Sequence, residues 1–198
     1  MRVLIAAEFS GIVREAFAAR GHEAWSCDLL PSETPGNHVC GDVLPILGQG
    51  WDLLIAHPPC TYLCNSGVRW LAPGGKVDNG RMVEMRHACR LFAALYNAPV
   101  AKVCIENPVM HGHAREYLER LGVPTFSQSI QPWQHGEPEV KRTCLWLRGL
   151  PLLVPSNVVA GRKARVHHAS PGPDRWKERS RTLPGIAAAF ASQWGNLP

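Results

Sequence analysis

Residues 53–60 read Leu53-Leu54-Ile55-Ala56-His57-Pro58-Pro59-Cys60. Four apolar residues in a row, stopped by a histidine and two prolines, have the length and abrupt end of a buried β-strand. Similar runs lie on either side. Residues 103–105 are apolar and stop at Glu106-Asn107-Pro108, residues 3–7 form a short run at the start, and residues 24–27 form another that ends in Asp28. Between these runs the apolar spacing becomes helical. Ile12, Ala16 and Phe17 recur at helical intervals, with Gly21 where a C-cap falls. Met82, Met85, Ala88, Cys89 and Phe92 mark an amphipathic helix ending near Asn97.

Further out, a helix is expected over 113–121 and a closing one over 186–194, while Val39-Cys40 leads into Gly41-Asp42-Val43. Residues 126–130 and 143–147 alternate as strands able to pair across the Gly136-Glu137-Pro138 turn. Residues 61–80 read as a long loop, and 151–183 as irregular. Strands alternating with helices predict an α/β, doubly wound, Rossmann-like sheet with helices on both faces. The expected organisation is a core over 1–150, a short basic insert over 151–183, and a helix over 184–198 that completes the core.

The chain has 198 residues, 45% hydrophobic and 19% charged, which is ordinary globular composition. Its formal net charge is +5. From Lys141 to Arg181 there are ten Lys and Arg against only Asp174 and Glu178, about +8 by count, so the remainder is mildly acidic. A basic block on a near-neutral body suggests a polyanionic partner, and also suits a merely solvated face. Seven irregularly spaced Cys do not read as a disulfide framework. There is no signal-peptide layout, and no apolar run approaches the ~20 residues that span a bilayer. A cytoplasmic protein with reduced thiols is expected.

Doubly wound sheets bind ligands at the carboxyl ends of their strands, and the polar residues gather there. Phe9-Ser10-Gly11 precedes a helix whose first N–H groups suit a carboxylate or phosphate. Asp28 stands where an acidic residue accepts from a ribose diol, and Asp42 where one accepts from an adenine amino group. Pro58-Pro59 fix the backbone so that Cys60 is held out at the sheet edge, where a stabilised thiolate is a nucleophile. Glu106, directly after an apolar strand, is expected to be partly desolvated, with a raised pKa that lets it donate a proton. Such a pair suits a pyrimidine: the thiolate adds at C6 while the acid holds N3, which makes C5 nucleophilic. Cys60 and Cys64 with His57 also allow zinc, but no second ligand pair has matching spacing. His111, His113, His135, His167 and His168 receive no role.

The motif order resembles that of the DNA cytosine-C5 methyltransferases. Phe9-Ser10-Gly11 with Ala16-Phe17 and Gly21-His22 is similar to the first cofactor motif, and Pro58-Pro59-Cys60 to the catalytic loop. Glu106-Asn107-Pro108-Val109 is similar to the Glu-Asn-Val motif, and Lys141-Arg142 to the late arginine motif. Arg181-Thr182-Leu183 and Gln193-Trp194-Gly195-Asn196 resemble shortened last motifs. The resemblance implies S-adenosylmethionine as cofactor, held by Phe9, Ser10, Gly11, Asp28, Asp42, Pro58 and Asn196. It implies catalysis by Cys60 and Glu106 with Lys141 or Arg142 on the base, and DNA as partner through 141–181. Thr61 stands where the family has Gln, and Ile12, Val13 and Arg14 replace later glycines of the first turn. The large recognition domain shrinks to about residues 151–180, as in phage or prophage versions. The same chemistry on a cytidine nucleotide or RNA, and a DNA-binding relative without catalysis, are the alternatives.

Overall fold

The computed structural model describes residues 1–166, 168 and 170–197; His167 lies outside them. Seven strands form one sheet: β1 (Arg2–Ala6), β2 (Glu23–Asp28), β3 (His38–Cys40), β4 (Leu53–Ala56), β5 (Lys102–Asn107), β6 (Gln128–Ile130) and β7 (Thr143–Arg148). Their order is β3-β2-β1-β4-β5-β7-β6. The first five run parallel, and β7 is antiparallel to both β5 and β6. The chain winds outward from β1 to β3, then crosses back to β4 on the other side of β1. The turns after β1 and β4 therefore flank the topological switch point.

Among the described residues, six helices accompany the sheet: α1 (Ile12–Ala18), α2 (Asn65–Val68), α3 (Asn79–Tyr96), α4 (Gly112–Arg120), α5 (Arg175–Ser180) and α6 (Pro184–Trp194). Alternate strand residues feed two cores. Leu4, Ala6, Leu54, Ala56, Val103 and Ile105 pack with Met85, Cys89 and Phe92 of α3 and Leu118 of α4. Val3, Ile5, Leu53, Ile55 and Cys104 pack with Val13 and Phe17 of α1 and Ile186, Phe190 and Trp194 of α6. Burial on both faces is why these strands read as unbroken apolar runs. Each fully buried large side chain contributes about 1.5–3 kcal/mol, so the cores fix the strand ends firmly.

Three local departures from expectation matter. β5 runs two residues past its apolar run, because pairing with β7 sets Glu106 opposite Leu145 and Asn107 opposite Cys144. The expected loop after Cys60 contains α2, and the expected irregular insert contains α5. Arg14, standing where the resemblance calls for glycine, is fully buried. Its guanidinium donates to Ser26 Oγ at 3.0 Å, Ser32 Oγ at 3.1 Å, Thr34 Oγ1 at 2.7 Å and the Pro35 carbonyl at 2.8 Å. This draws the loop after β2 against Gly11, whose φ of 75° and approach to Thr34 Oγ1, 2.1 Å from where a Cβ would stand, exclude any side chain.

Candidate active site

The β4–β5 register pairs Ala56 with Ile105, so the next residues, His57 and Glu106, emerge side by side. His57 Nδ1 donates to Glu106 Oε2 at 3.0 Å, and both side chains are nearly buried, 7% and 12% exposed. Asn107, itself buried, donates from Nδ2 to the Pro58 carbonyl at 2.8 Å. The chain then turns tightly, with the N–H groups of Leu63 and Cys64 both donating to the Cys60 carbonyl at 3.0 Å. His111 fastens the far side. Its N–H donates to the Leu63 carbonyl, its Nε2 donates to the Tyr62 carbonyl at 2.9 Å, and its Nδ1 accepts from Ala114 N at the start of α4. The proton is assigned to Nε2 because a carbonyl can only accept. Cys60 thus rides on a turn clamped at Pro58 and at 62–63, on the edge shared by β4 and β5.

The charges differ from the sequence expectation. Burial alone raises the Glu106 carboxyl. The hydrogen bond from His57, the Lys141 ammonium, the His57 charge and the Thr143 hydroxyl outweigh burial, so Glu106 lies below the ordinary 4.5 and not above it. The Cys60 thiol is pushed far up, first by the hydrogen bond it shares with Cys64, then by burial and by the negative charges of Cys64 and Glu106. Cys64 moves down. The Cys60 hydrogen bond leads, burial opposes it, and the Ser66 hydroxyl at 3.0 Å and the N–H groups of Ser66 and Gly67 add to it. The two thiols therefore move in opposite directions, Cys60 up and Cys64 down, each chiefly through the other.

Across the switch point, Ala7 takes a left-handed φ of 55°, uncommon for a residue with a Cβ, and turns the chain back over α1. Glu8 follows, buried, and its carboxylate accepts from Val13 N at 2.7 Å and Arg14 N at 3.2 Å. These α1 donors, expected to receive a ligand, are taken by the chain's own carboxylate. Burial raises Glu8, opposed by His57, the two N–H bonds and Arg14. Asp28 and Asp42 use one oxygen each, on Leu30 N at 2.9 Å and Leu44 N at 3.0 Å. Both carboxylates act on the Cys27 thiol, which burial first and then their charge push up to about 11. The two acids therefore lie near one another at the ends of β2 and β3.

The basic insert folds back over this edge. Phe9 is buried beneath Trp176, ring centroids 6.0 Å apart, and Arg181, 5.9 Å above its ring. Arg181 pairs with Glu33 at 2.6 Å, Lys141 Nζ donates to the Arg181 carbonyl at 3.0 Å, and Thr182 Oγ1 lies 3.4 Å from His57 Nδ1. Residues 175–182 form a strap. Beneath it is a small pocket lined by Ala7, Glu8, Ser10, His57, Arg181 and Thr182.

The fold thus gathers Cys60, Glu106, Lys141 and Pro58 on one side, and Phe9, Ser10, Gly11, Asp28 and Asp42 on the other. Arg142 points away from Glu106, exposed, because it alternates with Lys141 and Thr143 on the approach to β7. Asn196 lies beyond the far end of α6, where Gly195 packs on His22 before β2. That is the amino end of the sheet, because an 11-residue helix carries the chain about 16 Å from Thr182. Arg148 also belongs to that end, donating to the Tyr96 and Ala98 carbonyls, so the basic block is not one surface. Glu8, His57, Asn107, Arg181 and Thr182 contribute without having been assigned roles. Asn107 stands inside the quoted Glu-Asn pair, Arg181 and Thr182 inside the quoted Arg-Thr-Leu motif, and His57 only in the zinc alternative with Cys60 and Cys64, so Glu8 alone of these five carries no local signal.

No family model and no curated protein matches the sequence. Solved structures do. A chain assigned as a DNA modification methyltransferase encoded within an E. coli prophage superposes with a TM-score of 0.50 at 14% identity, over 81% of this chain and 52% of its own. The Entamoeba histolytica methyltransferase EhMeth gives 0.48 at 13% identity, over 87% and 60%. A TehB-like SAM-dependent methyltransferase from Corynebacterium glutamicum gives 0.41 at 18% identity, over 74% and 78%. The chain spans about half the length of the prophage protein it resembles. What the prophage protein shares with the chain is architecture: the fold is the Rossmann-like methyltransferase fold.

Proposed function

We propose that the chain is an S-adenosylmethionine-dependent methyltransferase acting on C5 of cytosine in DNA, with Cys60 as nucleophile. The observation that carries this is one juxtaposition. Cys60, on a clamped Pro-Pro turn, shares an electrostatic site with the nearly buried Glu106 at the switch point of the sheet. The residues on the β1–β3 side suit the cofactor. Asp28 and Asp42 each bind a backbone N–H through one carboxylate oxygen, which leaves the second to accept from ribose hydroxyls and an adenine amino group, Phe9 offers a ring, and Glu8 offers a carboxylate to an ammonium. The cofactor supplies an electrophilic methyl group when bound.

The chain's own residues do the rest. The target cytosine leaves the stack to reach Cys60, as base-modifying chemistry requires. Cys60 passes its proton to Cys64 and its sulfur bonds to C6. The ring electrons move toward N3, which takes a proton from Glu106, and C5 becomes the carbon nucleophile. After methylation a base takes the C5 proton, the bond from C6 to sulfur breaks, and N3 returns its proton to Glu106. Lys141 or Arg142 steadies the carbonyl oxygen of the base, and the Lys141 charge acting on Glu106 supports Lys141.

The test is incubation with methyl-labelled S-adenosylmethionine and, separately, duplex DNA, single-stranded DNA, RNA and dCMP, followed by base analysis. Label in 5-methylcytosine, lost in Cys60→Ala while cofactor binding is kept, is the expected result. The tube that carries it names the substrate. Turnover persisting in Cys60→Ala would refute the covalent mechanism, and tight DNA binding without cofactor affinity would favour a non-catalytic relative.

A further inference from the structure

His57 stands between the two halves of the site. Its Nδ1 is committed to Glu106 at 3.0 Å, with Thr182 Oγ1 at 3.4 Å on the same atom. Its Nε2 is buried and has no hydrogen-bond partner among the described residues. The ring lines the pocket beneath the strap, beside Glu8 and Ser10. A buried ring nitrogen left unpaired is costly, so its place at a strand end calls for a reason. Glu106 supplies one. The contacts that hold it ionised, His57 and Lys141 above all, leave it without the proton that N3 requires.

We infer that His57 is a proton relay, carrying a proton from the pocket through its imidazole to the Glu106 carboxylate. The inference rests on the cytosine reading of the site. The step balances atom by atom. Solvent water reaching the pocket gives a proton to Nε2 and is left as hydroxide, the Nδ1 proton passes to Glu106 Oε2, and Glu106 delivers its proton to N3 as Cys60 bonds to C6; the hydroxide takes a proton back from Nε2 when the relay reverses. When the bond to sulfur breaks, N3 returns the proton to Glu106 and the relay runs backward. The groups facing the imidazole are Glu8 from the turn after β1, Glu106 from β5, and Arg181 and Thr182 from the strap. Those facing Glu106 are Lys141, Thr143 and the thiols Cys60, Cys104 and Cys144. Glu106 touches the base, while His57 acts through it and is a positioning residue in that sense.

His57→Asn and His57→Ala test the relay. Asn keeps a donor near the Nδ1 position but cannot pass a proton through. In His57→Asn, kcat on cytosine should fall roughly 100-fold, as for loss of a general acid–base step, with KM for DNA and cofactor within about threefold. The alkaline limb of the kcat profile should move to higher pH in His57→Asn, following the Glu106 carboxyl once the His57 hydrogen bond no longer holds it down. Added imidazole should restore part of the rate in His57→Ala and none in His57→Asn. Carbon-13 NMR on the free protein gives a readout without turnover: the Glu106 carboxyl should titrate higher in His57→Asn than in wild type. Wild-type kcat and pH profile in His57→Asn would overturn the relay while Cys60→Ala still abolished product. Failure of wild type to make 5-methylcytosine in any tube would overturn the cytosine reading and the relay with it.

Discussion

At the scale of single residues, the site separates proton holding from nucleophilic attack. In the proposed reaction Cys60 carries the reacting sulfur, yet the hydrogen bond with Cys64 and burial raise its thiol, while the same bond lowers that of Cys64. Thiolates, not thiols, attack, so Cys60 must lose its proton at the moment of addition. Cys64 takes it at the cost of one short shift. In Cys64→Ala the proton has no acceptor within the turn and must leave to solvent. The kcat at neutral pH should drop by roughly one to two orders of magnitude, in the usual range for losing a positioned base, and should then climb with pH above the ordinary thiol range, because burial and the Glu106 charge still raise Cys60. A flat profile at the wild-type rate would show that Cys60 is deprotonated by another group. The sequence displayed Cys60 because two prolines and a strand precede it. The roles of Cys64 and His57 could not be read there, because both depend on neighbours that only the turn and the β4–β5 register bring into reach.

At the scale of elements, the strap over 175–182 decides who reaches the pocket. It read as irregular because its anchors lie far away in sequence: Glu33 for Arg181, Phe9 for Trp176, and Lys141 for the Arg181 carbonyl. The same contacts bury Phe9, so if Phe9 holds the cofactor as proposed, the strap must lift for it to enter. Arg181 and Glu33 are each about a third exposed, 33% and 38%, and such a partly exposed ion pair is worth about 0.2–1 kcal/mol. Glu33→Gln should therefore raise both association and dissociation rates of S-adenosylhomocysteine, by up to about fivefold at that energy. Stopped-flow fluorescence of Trp176 would follow the strap directly. Rates unchanged in both directions would mean that the pair does not hold the gate. The catalytic turn behaves differently, because its anchors, Asn107 and His111, are buried hydrogen bonds and not a surface pair.

For the whole molecule, what could be read from the sequence follows burial. β4 was legible to the residue because four apolar side chains fill two cores, whereas Glu106 and Asn107 extend β5 through ladder bonds to β7 that no side-chain pattern announces. Asn196 matched a motif in order but not in space, since α6 carries it to the opposite end of the sheet. Burial also sets how the fold responds to pH. His111 and His135 are both lowered from 6.5, chiefly because burial penalises the imidazolium. A group lowered in the folded state stabilises fully above its unfolded value and loses that contribution as pH falls through the folded one. Glu8 and Glu137, raised by burial, act oppositely: their contribution is present below the ordinary carboxylate value and is lost as pH rises through the folded one. The histidines therefore predict an acid limb that begins near 6.5, with a slope of up to about 1.4 kcal/mol per pH unit for each ring that stays neutral. His111→Asn isolates one of them, since Asn still accepts from Ala114 N but does not titrate. The variant loses the bond to the Tyr62 carbonyl and should be about 1 kcal/mol less stable at neutral pH. In urea melts from pH 7.5 down to 5, its stability should fall less steeply than that of wild type, so the gap between them closes with acid. Curves that stay parallel over that interval would mean that His111 keeps its ordinary affinity for protons, and that the clamp on the catalytic turn does not depend on a neutral ring.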